Sequence, residues 1–352
     1  MRTLIDEISV LLGVSSLFLG DDISEKYYAD WSGADACAPV VLVKPNTTEQ
    51  LSQVMALCHK HDQSVVVQGG LTGLAGGATP LDGELAVSLE RMQGVEEIDP
   101  TAMTLTALAG TPLQVLQDAA NEHNLLLPLD LGARGSCQIG GNVSTNAGGT
   151  EVIRYGMTRS LVLGLEAVLA DGTVIDATNK MIKNNSGYDL KHLFIGSEGT
   201  LGIVTRVVLQ LQPKAGSSHT ALCGLNSYES ATQLLVELKR SLGSGLTGFE
   251  LMWDNYYNKV LETIADLTDP LEGAFPFYLL VEYKDNDVEL GSERFEFALF
   301  KQLELGIIAD AVIAKSHQDA AIFWQIRDGI GELFQVLGPV SNQDVSLPIS
   351  QI

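Results

Sequence analysis

Residues 65–78 read Val-Val-Val-Gln-Gly-Gly-Leu-Thr-Gly-Leu-Ala-Gly-Gly-Ala, a β-branched run that passes into a loop of closely spaced glycines. The three valines favour a buried strand. The glycines that follow free the backbone to point successive N–H groups at an anion. This stretch therefore predicts a strand followed by a phosphate-binding loop, with a ligand-free glycine turn as the alternative.

Two other types of phosphate loop do not match this stretch. A Walker loop requires Gly-Lys-Ser/Thr, and no lysine lies between Lys60 and Lys180. A Rossmann loop opens a helix, whereas these glycines lead to Thr79-Pro80 and Asp82-Gly83, which are typical of turns. The loop therefore predicts a phosphate site of another class.

The composition limits the classes of function. A chain of 352 residues exceeds the size at which one hydrophobic core keeps growing, which predicts two domains. A formal net charge of -23 disfavours nucleic acid and anionic membranes, because both are bound through clustered Lys and Arg. Four scattered cysteines without a Cys-x-x-Cys pair predict neither a zinc site nor a disulfide framework.

The first residues show no export signal. Asp6 and Glu7 stand where a signal peptide would carry its basic and apolar regions. The apolar stretch 10–20 is too short to span a bilayer. The sequence therefore predicts a cytoplasmic protein.

The two ends of the chain have distinct patterns. Residues 1–35 predict an N-terminal helical appendage, a short amphipathic helix followed by a polar segment. Its aromatic residues Tyr27, Tyr28 and Trp31 are predicted to pack on the domain behind it. Residues 345–352 read as an apolar strand.

Local patterns between these ends predict an α+β fold. Thr47-Thr-Glu-Gln50 offers a capping box, Thr111-Pro112 a helix start with Thr111 as N-cap, and Asp171-Gly172 the turn of a hairpin. A boundary at 213–218 precedes strands and helices that alternate without glycine loops, which predicts a separate α+β domain. Its last helix is predicted over 317–337.

Two further loops combine glycine with small polar residues. Residues 127–149 read Leu-Pro-Leu-Asp-Leu-Gly-Ala-Arg-Gly-Ser-Cys-Gln-Ile-Gly-Gly-Asn-Val-Ser-Thr-Asn-Ala-Gly-Gly. Residues 184–203 read Asn-Asn-Ser-Gly-Tyr-Asp-Leu-Lys-His-Leu-Phe-Ile-Gly-Ser-Glu-Gly-Thr-Leu-Gly-Ile. Long irregular segments in a compact domain are uncommon unless functional. Three such loops suit an extended ligand such as a dinucleotide.

These three stretches closely resemble the FAD-linked D-2-hydroxyacid dehydrogenases of the vanillyl-alcohol-oxidase superfamily, which include D-2-hydroxyglutarate dehydrogenases, D-lactate dehydrogenases and the FAD subunit of glycolate oxidase. The resemblance implies an α+β fold with a two-subdomain FAD-binding domain over 36–215. It implies an α+β substrate cap domain over 216–352, which lacks its C-terminal part. FAD is expected to bind non-covalently, because the first loop has no His or Cys tether and Cys137 occurs in relatives that bind FAD without one.

The resemblance also implies roles for individual residues. Backbone amides of the first loop would hold the FAD diphosphate: Gly69, Gly70, Leu71, Thr72, Gly73 and Leu74. Residues of the second loop would contact the ribityl chain and the isoalloxazine ring: Pro128, Gly135, Ser136, Gly140, Gly141, Asn142, Thr145 and Asn146. Residues of the third loop would complete the adenine and flavin contacts: Glu198, Gly199, Gly202 and Ile203. For Glu198, a surface carboxylate in a turn is the alternative.

A helix motif implies a substrate anchor. Phe323-Trp-Gln-Ile-Arg327 resembles the Trp-x-x-Arg motif of the cap domain, whose arginine holds the substrate carboxylate. A bidentate guanidinium suits this role, with an ordinary helix arginine as the alternative for Arg327. Gly331 and Asn342 stand where hydroxyglutarate enzymes have a threonine and a lysine for the second carboxylate. A dicarboxylate substrate therefore stays open.

The family's metal-binding His-x-x-x-Asp-Gly-Asn-x-His segment and its later Glu-His pair are missing from the chain. No metal site is therefore predicted, and a divalent metal is expected only with a longer C-terminal segment. Residues 1–352 alone are expected to hold flavin without turnover.

The resemblance implies that FAD accepts a hydride from a D-2-hydroxy acid such as D-lactate, glycolate or D-2-hydroxyglutarate. Electrons would then pass to a protein or quinone acceptor, and the protein could form a homodimer. Two alternatives are a non-catalytic FAD-binding fragment or subunit, and a sugar or alcohol oxidase of the same superfamily.

Overall fold

The computed structural model of the chain describes residues 2–265, 267–338 and 343–351. The chain divides into two compact units. The first comprises Met1–Gly149 and Gly156–Pro213, and the second comprises Thr150–Tyr155 and Lys214–Ile352. The assignment of 36–215 and 216–352 as cofactor and substrate domains stays a prediction.

The helices are α1 (Arg2–Leu12), α2 (Thr48–Lys60), α3 (Leu113–Glu122), α4 (Ile139–Ser144), α5 (Val152–Tyr155), α6 (Thr158–Leu161), α7 (Lys191–Phe194), α8 (Tyr228–Leu242), α9 (Asp254–Thr263), α10 (Val288–Glu304), α11 (His317–Asp328) and α12 (Ile330–Leu337). Within the described part of the chain, none of them combines the length and the apolar character needed to cross a membrane.

The strands of the first unit are β1 (Leu17–Phe18), β2 (Val41–Val43), β3 (Val65–Gln68), β4 (Leu85–Ser88), β5 (Val95–Asp99), β6 (Thr104–Leu108), β7 (Leu125–Leu126), β8 (Val162–Val168), β9 (Val174–Ala177), β10 (Ile203–Gln210) and β11 (Gln212–Pro213). Those of the second unit are β12 (Ser217–Leu225), β13 (Leu246–Trp253), β14 (Phe277–Asp285) and β15 (Asp310–Ile313).

The first sheet of the first unit has the strand order β1-β2-β4-β3, with β2, β4 and β3 parallel and β1 antiparallel to β2. Helix α2 connects β2 to β3. The Thr47 half of its predicted capping box is confirmed, because the Gln50 amide donates to Thr47 Oγ1 at 3.2 Å. The other half differs, because Gln50 Oε1 accepts the Asn46 amide at 2.8 Å. Strand β3 ends at Gln68, so the glycine loop begins at the carboxyl end of a parallel strand, where sheets of this kind bind ligands.

The second sheet is antiparallel, with the order β5-β6-β10-β8-β9. The hairpin predicted at Asp171-Gly172 joins β8 to β9, and Gly172 adopts a φ of 86° that favours glycine. Glu166 on β8 accepts hydrogen bonds from Thr48 Oγ1 at 2.7 Å and Thr205 Oγ1 at 2.6 Å. This buried carboxylate therefore links the first turn of α2 to the second sheet.

Residues 1–35 are part of the first unit, to which they contribute α1 and β1. Tyr27 is buried as predicted, and Tyr28 is half-buried. The prediction for Trp31 is wrong, because this side chain is 62% exposed. Trp31 lies in a turn in which the Ser32 amide donates to Asp30 Oδ1 at 3.0 Å.

A cluster around Glu90 holds the N-terminal segment to the first sheet. Glu90 pairs with Lys44 at 2.7 Å and Lys26 at 3.2 Å, and it accepts the Tyr27 hydroxyl at 2.8 Å. Burial raises the pKa of Glu90, but these hydrogen bonds outweigh burial and lower the pKa to about 2. The folded protein therefore holds Glu90 in its charged form.

Glu90→Gln is expected to lower the free energy of unfolding at pH 7 by about 1–2 kcal/mol, a value discounted because the cluster is partly exposed. The folded pKa is depressed, so this stabilisation is present above the ordinary value of 4.5 and is lost as the pH falls towards about 2. The difference between wild type and variant should shrink over that window in urea unfolding curves. Glu122→Gln, an exposed carboxylate on α3, is the control; a constant difference across the window would contradict the assignment.

The second unit is built on one antiparallel sheet with the order β13-β14-β12-β15. Its two faces carry separate clusters: Cys223 of β12 packs with α8 and α10, whereas Leu222 packs with α9 and α11. The segment Thr150–Tyr155 belongs to this unit, where Glu151 pairs with Lys284 of β14.

Three local predictions are corrected by the structure. Thr111 does not cap α3, because its hydroxyl donates to Leu108 O at 2.6 Å and Pro112 takes the N-cap position. The helix predicted over 317–337 is two helices, α11 and α12, which meet at Gly329. Residues 343–348 are irregular instead of a strand and lead to a short 3-10 turn.

The break at Gly329 has a packing reason. A Cβ at Gly329 would lie 2.7 Å from Val260 Cγ1 of α9, so the chain approaches that helix at this point more closely than a side chain permits. The spacing of apolar residues along the sequence does not indicate such a contact.

Candidate functional site

The first loop presents a row of free backbone amides. Among the hydrogen bonds of the described residues, none has an amide of Gly69–Gly77 as its donor. The next amide, that of Ala78, donates to Asp30 Oδ2 at 3.3 Å. Leu71 holds a positive φ of 58°, which side chains rarely adopt and which is typical of functional loops. These amides suit the oxygens of a phosphate.

Two buried side chains, which sequence reasoning missed, hold the ends of this loop. Gln68 Nε2 donates to Tyr27 O at 2.9 Å and to Ala78 O at 3.0 Å. Asp30 accepts the amides of Ser32 and Ala78. Burial raises the pKa of Asp30, but hydrogen bonds from Ser32 and Ala78 outweigh it and lower the pKa. The loop therefore starts and ends on fixed polar contacts.

The three loops predicted from the sequence meet in the first unit. A Cβ at Gly70 would collide with the carbonyl oxygen of Ser136 in the second loop. A Cβ at Gly77 would lie 3.5 Å from Glu198 Oε2 in the third loop. The Glu198 amide in turn donates to Ser144 O at 2.9 Å. The structure thus brings together segments that are far apart in the chain.

The second loop is partly helical, whereas the sequence predicted an irregular segment. Helix α4 contains Gly140, Gly141 and Asn142. A Cβ at Gly140 would lie 2.6 Å from Ala109 Cβ, so this glycine permits close packing, whereas Gly141 has no atom within 4 Å of its Cβ position. Of these two neighbouring candidates, only Gly141 opens onto free space.

The other predicted cofactor residues of the second loop differ in their existing hydrogen bonds and in their exposure. Asn146 Oδ1 accepts the Arg159 amide at 2.9 Å, so its side chain already braces the loop. Thr145 donates its hydroxyl to Gly141 O at 3.0 Å. Pro128 is buried, whereas the chain around Gly135 and Ser136 is exposed.

Three buried amide side chains carry an oxygen that accepts no hydrogen bond. The oxygens Gln68 Oε1, Gln138 Oε1 and Asn142 Oδ1 are buried without a partner. Buried polar atoms are normally hydrogen-bonded, so each of these unpartnered oxygens marks a place where a ligand or water can donate. FAD fits this set, because its phosphates need N–H donors and its hydroxyl groups need acceptors. The loops offer both kinds of partner.

A cavity of about 320 Å³ adjoins the third loop. It lies between α2, β3 and residues 199–203, and includes Val65 and Val67 of the strand. The candidates Gly199, Gly202 and Ile203 line it. Its size falls in the range of small-molecule sites.

His192, the histidine of the third loop, is already engaged. Burial and then Lys191 lower its pKa, so the ring is neutral at pH 7. Arg159 Nη1 lies 3.2 Å from His192 Nδ1, and a guanidinium only donates. The proton of the neutral ring therefore sits on Nε2, which lies 3.4 Å from Asp189 Oδ2. This histidine has no free lone pair for a substrate proton.

Arg327 lies in the last turn of α11 in the second unit. Its Nε and Nη2 contact Glu250 Oε2 at 2.8 and 2.6 Å, and Nη1 contacts Asp328 Oδ1 at 2.9 Å. Burial lowers the pKa of Arg327, but Glu250 and Asp328 outweigh it and raise the pKa. The Arg327 side chain is 34% exposed, so it carries a paired cation on a partly accessible side chain.

The resemblance aligns Gly331 and Asn342 with the residues that bind a second carboxylate in hydroxyglutarate enzymes, and the structure describes only the first of them. Gly331 has no atom within 4 Å of its Cβ position, and Asn342 lies outside the described residues. Among residues 2–265, 267–338 and 343–351, no group of three or more His, Cys, Asp and Glu residues could hold a metal ion.

Comparison with known families matches both halves of the chain. Residues 39–178 match a family described as FAD binding domain, and residues 214–352 match FAD linked oxidases, C-terminal domain. FAD is therefore the cofactor of the matched first domain.

Curated relatives match most of this chain. The mitochondrial D-2-hydroxyglutarate dehydrogenase of Arabidopsis thaliana is 41% identical over 342 residues, which cover 97% of this chain and 61% of that protein. The D-2-hydroxyglutarate dehydrogenase of Xanthomonas citri pv. viticola is 38% identical over 327 residues, covering 93% and 68%. The chain spans about three fifths of the length of the first relatives it matches.

A solved structure of p-cresol methylhydroxylase with substrate bound matches the fold with a TM-score of 0.76 at 16% identity, over 95% of this chain and 71% of that one. It confirms the predicted two-domain α+β fold of the vanillyl-alcohol-oxidase type. At this identity it carries no statement about function.

The prediction of a cytoplasmic protein is wrong. Relatives from Arabidopsis thaliana, Bos taurus and Danio rerio are all named mitochondrial. The prediction rested on Asp6 and Glu7, which argue against a secretory signal. Amphipathic signals for import into mitochondria follow other rules, so that argument did not address them.

Proposed function

Because the chain belongs to the FAD-linked D-2-hydroxyacid dehydrogenase family, we propose that the full-length protein oxidises a D-2-hydroxy acid to the 2-oxo acid. Bound FAD supplies the hydride acceptor for this reaction. The observation that carries the proposal is the row of unpaired amides at Gly69–Gly77, set against buried oxygens that lack donors. D-2-hydroxyglutarate, D-lactate and glycolate are the candidate acids.

In this proposal, the amides of residues 69–74 hold the diphosphate without a basic side chain. The cavity at residues 199–203 takes the adenine end. Binding is non-covalent, since a thiolate would be needed for a cysteine tether and burial raises the pKa of the Cys137 thiol. FAD should therefore be released intact on denaturation, which distinguishes this protein from tethered sugar and alcohol oxidases.

Arg327 is the proposed anchor for the substrate carboxylate. Glu250 and Asp328 engage three of its five N–H donors, which leaves one donor on each terminal nitrogen. Two such donors can hold a carboxylate. Gly331 has no side chain to bind a second carboxylate, which favours a substrate with a single carboxylate.

The proposed partners are an electron acceptor and a second copy of the chain. Electrons would leave for a protein or quinone acceptor instead of a nicotinamide cofactor. The homodimer stays a prediction.

The test is a substrate screen of the full-length natural protein. It should reduce an artificial dye with at least one of D-lactate, glycolate, D-malate and D-2-hydroxyglutarate. Residues 1–352 loaded with FAD should show no anaerobic bleaching with the same acids, because a base must reach the hydroxyl and His192 is engaged. Release of the flavin by acid precipitation, followed by its absorbance, checks the cofactor.

The outcomes distinguish a dehydrogenase from a non-catalytic FAD-binding subunit. A full-length protein that binds FAD but reduces no dye with any acid would favour a non-catalytic FAD-binding subunit. Bleaching of residues 1–352 at the full-length rate would show that the base lies within this chain, and the engaged state of His192 would then be the first point to revise.

A further inference from the structure

Gln138 is held at the entrance of the second loop by its backbone. It forms an isolated β-bridge with Pro112 and takes the N-cap position of α4, where its carbonyl accepts the Asn142 amide at 3.0 Å. N-cap side chains commonly accept an amide of the first helical turn. The Gln138 side chain does not do so. Its main chain is therefore fixed, while its carboxamide is left for another partner.

The carboxamide of Gln138 faces the glycine loop. The residue is only 7% exposed, and its Oε1 lies 3.6 Å from the position that a Cβ on Gly69 would take. No hydrogen bond of this side chain occurs among the described residues, and Oε1 is buried without a donor. Leaving such a buried acceptor unpaired is unfavourable. The cost is removed if a ligand supplies the partner.

Gln68, which precedes Gly69 in the chain, carries a second buried oxygen without a donor. Its amide orientation is fixed, because Nε2 donates to two carbonyl groups, those of Tyr27 and Ala78. Gln68 Oε1 must therefore be an acceptor, and it too lacks a donor. A ligand with hydroxyl or N–H groups next to a phosphate matches this arrangement.

We propose that the Gln138 carboxamide contacts FAD where the ribityl chain leaves the diphosphate, and that its oxygen accepts a ribityl hydroxyl. The proposed position rests on the closeness of Gln138 to Gly69, the first residue of the amide row, and on the second loop, to which the resemblance assigns the ribityl chain. The inference rests on the proposed binding of FAD by these loops. It adds a cofactor residue that the glycine motifs do not reveal.

The test compares the affinities of residues 1–352 for FAD and for ADP, which lacks the ribityl chain. Gln138→Leu keeps the side-chain size and removes the hydrogen bond, so FAD binding should weaken about tenfold while ADP binding stays unchanged. Gln138→Glu should weaken FAD more, because a carboxylate would face the diphosphate. Flavin fluorescence quenching gives the FAD affinity, and calorimetry gives the ADP affinity.

Gln302→Leu is the matched control, because Gln302 is also a buried amide with an unpartnered oxygen but lies in the second unit. It should leave both affinities unchanged. Gln138→Asn, which keeps the amide, replaces the leucine variant if that protein does not fold, and a weaker FAD affinity is again expected.

The outcomes distinguish this inference from the function on which it rests. Equal FAD affinities of wild type and Gln138→Leu would overturn the Gln138 contact and leave FAD binding in place. Parallel losses of FAD and ADP binding would also overturn it, because the side chain would then act on the diphosphate half or on the fold. Failure of the wild type to bind FAD would overturn both.

Discussion

Gly73→Val is expected to weaken FAD binding by about a hundredfold or more while the first unit stays folded. A Cβ at Gly73 would meet only Asp30 Oδ2, at an ordinary 3.6 Å, so the free protein has room for a Cβ at this position. In the proposed site the diphosphate lies against the amides of this loop, so we expect the larger side chain to exclude it. Hydrogen bonds to charged groups contribute about 1.5–3 kcal/mol each. The loss of two corresponds to at least about a hundredfold.

The measurement is a titration with FAD followed by flavin fluorescence, together with a thermal unfolding curve of each apoprotein. Gly132→Val is the matched control, because a Cβ at Gly132 meets no atom within 4 Å and this glycine is not a predicted cofactor residue. A Gly73→Val protein with wild-type FAD affinity would remove the first loop as the diphosphate site.

Gly70 is unsuitable for the same experiment, although the motif makes the two glycines look equivalent. Its Cβ would strike the carbonyl oxygen of Ser136, so a larger residue disrupts the contact between the first and second loops. Loss of FAD binding in that variant would reflect the disrupted packing of the two loops and not a clash with the ligand.

Arg327→Ala in the full-length protein is expected to raise KM for the D-2-hydroxy acid by a loss of about 2–5 kcal/mol of carboxylate binding. FAD affinity should stay unchanged, since Arg327 is assigned to the substrate alone. Arg327→Lys should give an intermediate KM, because it keeps the charge but loses the fork that holds a carboxylate by two hydrogen bonds. Steady-state kinetics with a dye acceptor measure both.

The pairing of Arg327 with Glu250 supplies the control. Glu250→Gln keeps the guanidinium and an acceptor oxygen, so its KM should stay within about threefold of wild type. If Arg327→Ala leaves KM unchanged, the residue serves only as the partner of Glu250 and Asp328 in an ion pair.

Local sequence patterns were sufficient to predict structure where the conformation of a segment depends on its own residues. The Thr47 cap and the Asp171-Gly172 hairpin formed as predicted, since both depend on residues within a few positions of each other. Thr111 and Gly329 departed from prediction because distant groups decide them. The Thr111 hydroxyl donates to Leu108 O and Gly94 O, and Gly329 packs on Val260.

The sequence by itself indicated three loops suited to a phosphate-bearing ligand, because glycine spacing and small polar residues encode backbone freedom and available N–H groups. The resemblance of these loops to a known family indicated the family and the cofactor. Only the tertiary structure decided which glycines face free space and which permit close packing, as the contrast between Gly141 and Gly140 shows. It also revealed the unpartnered oxygen of Gln138 and the existing partners of Arg327. Partners in space come from segments far apart in the chain, so their positions follow from packing and not from local sequence.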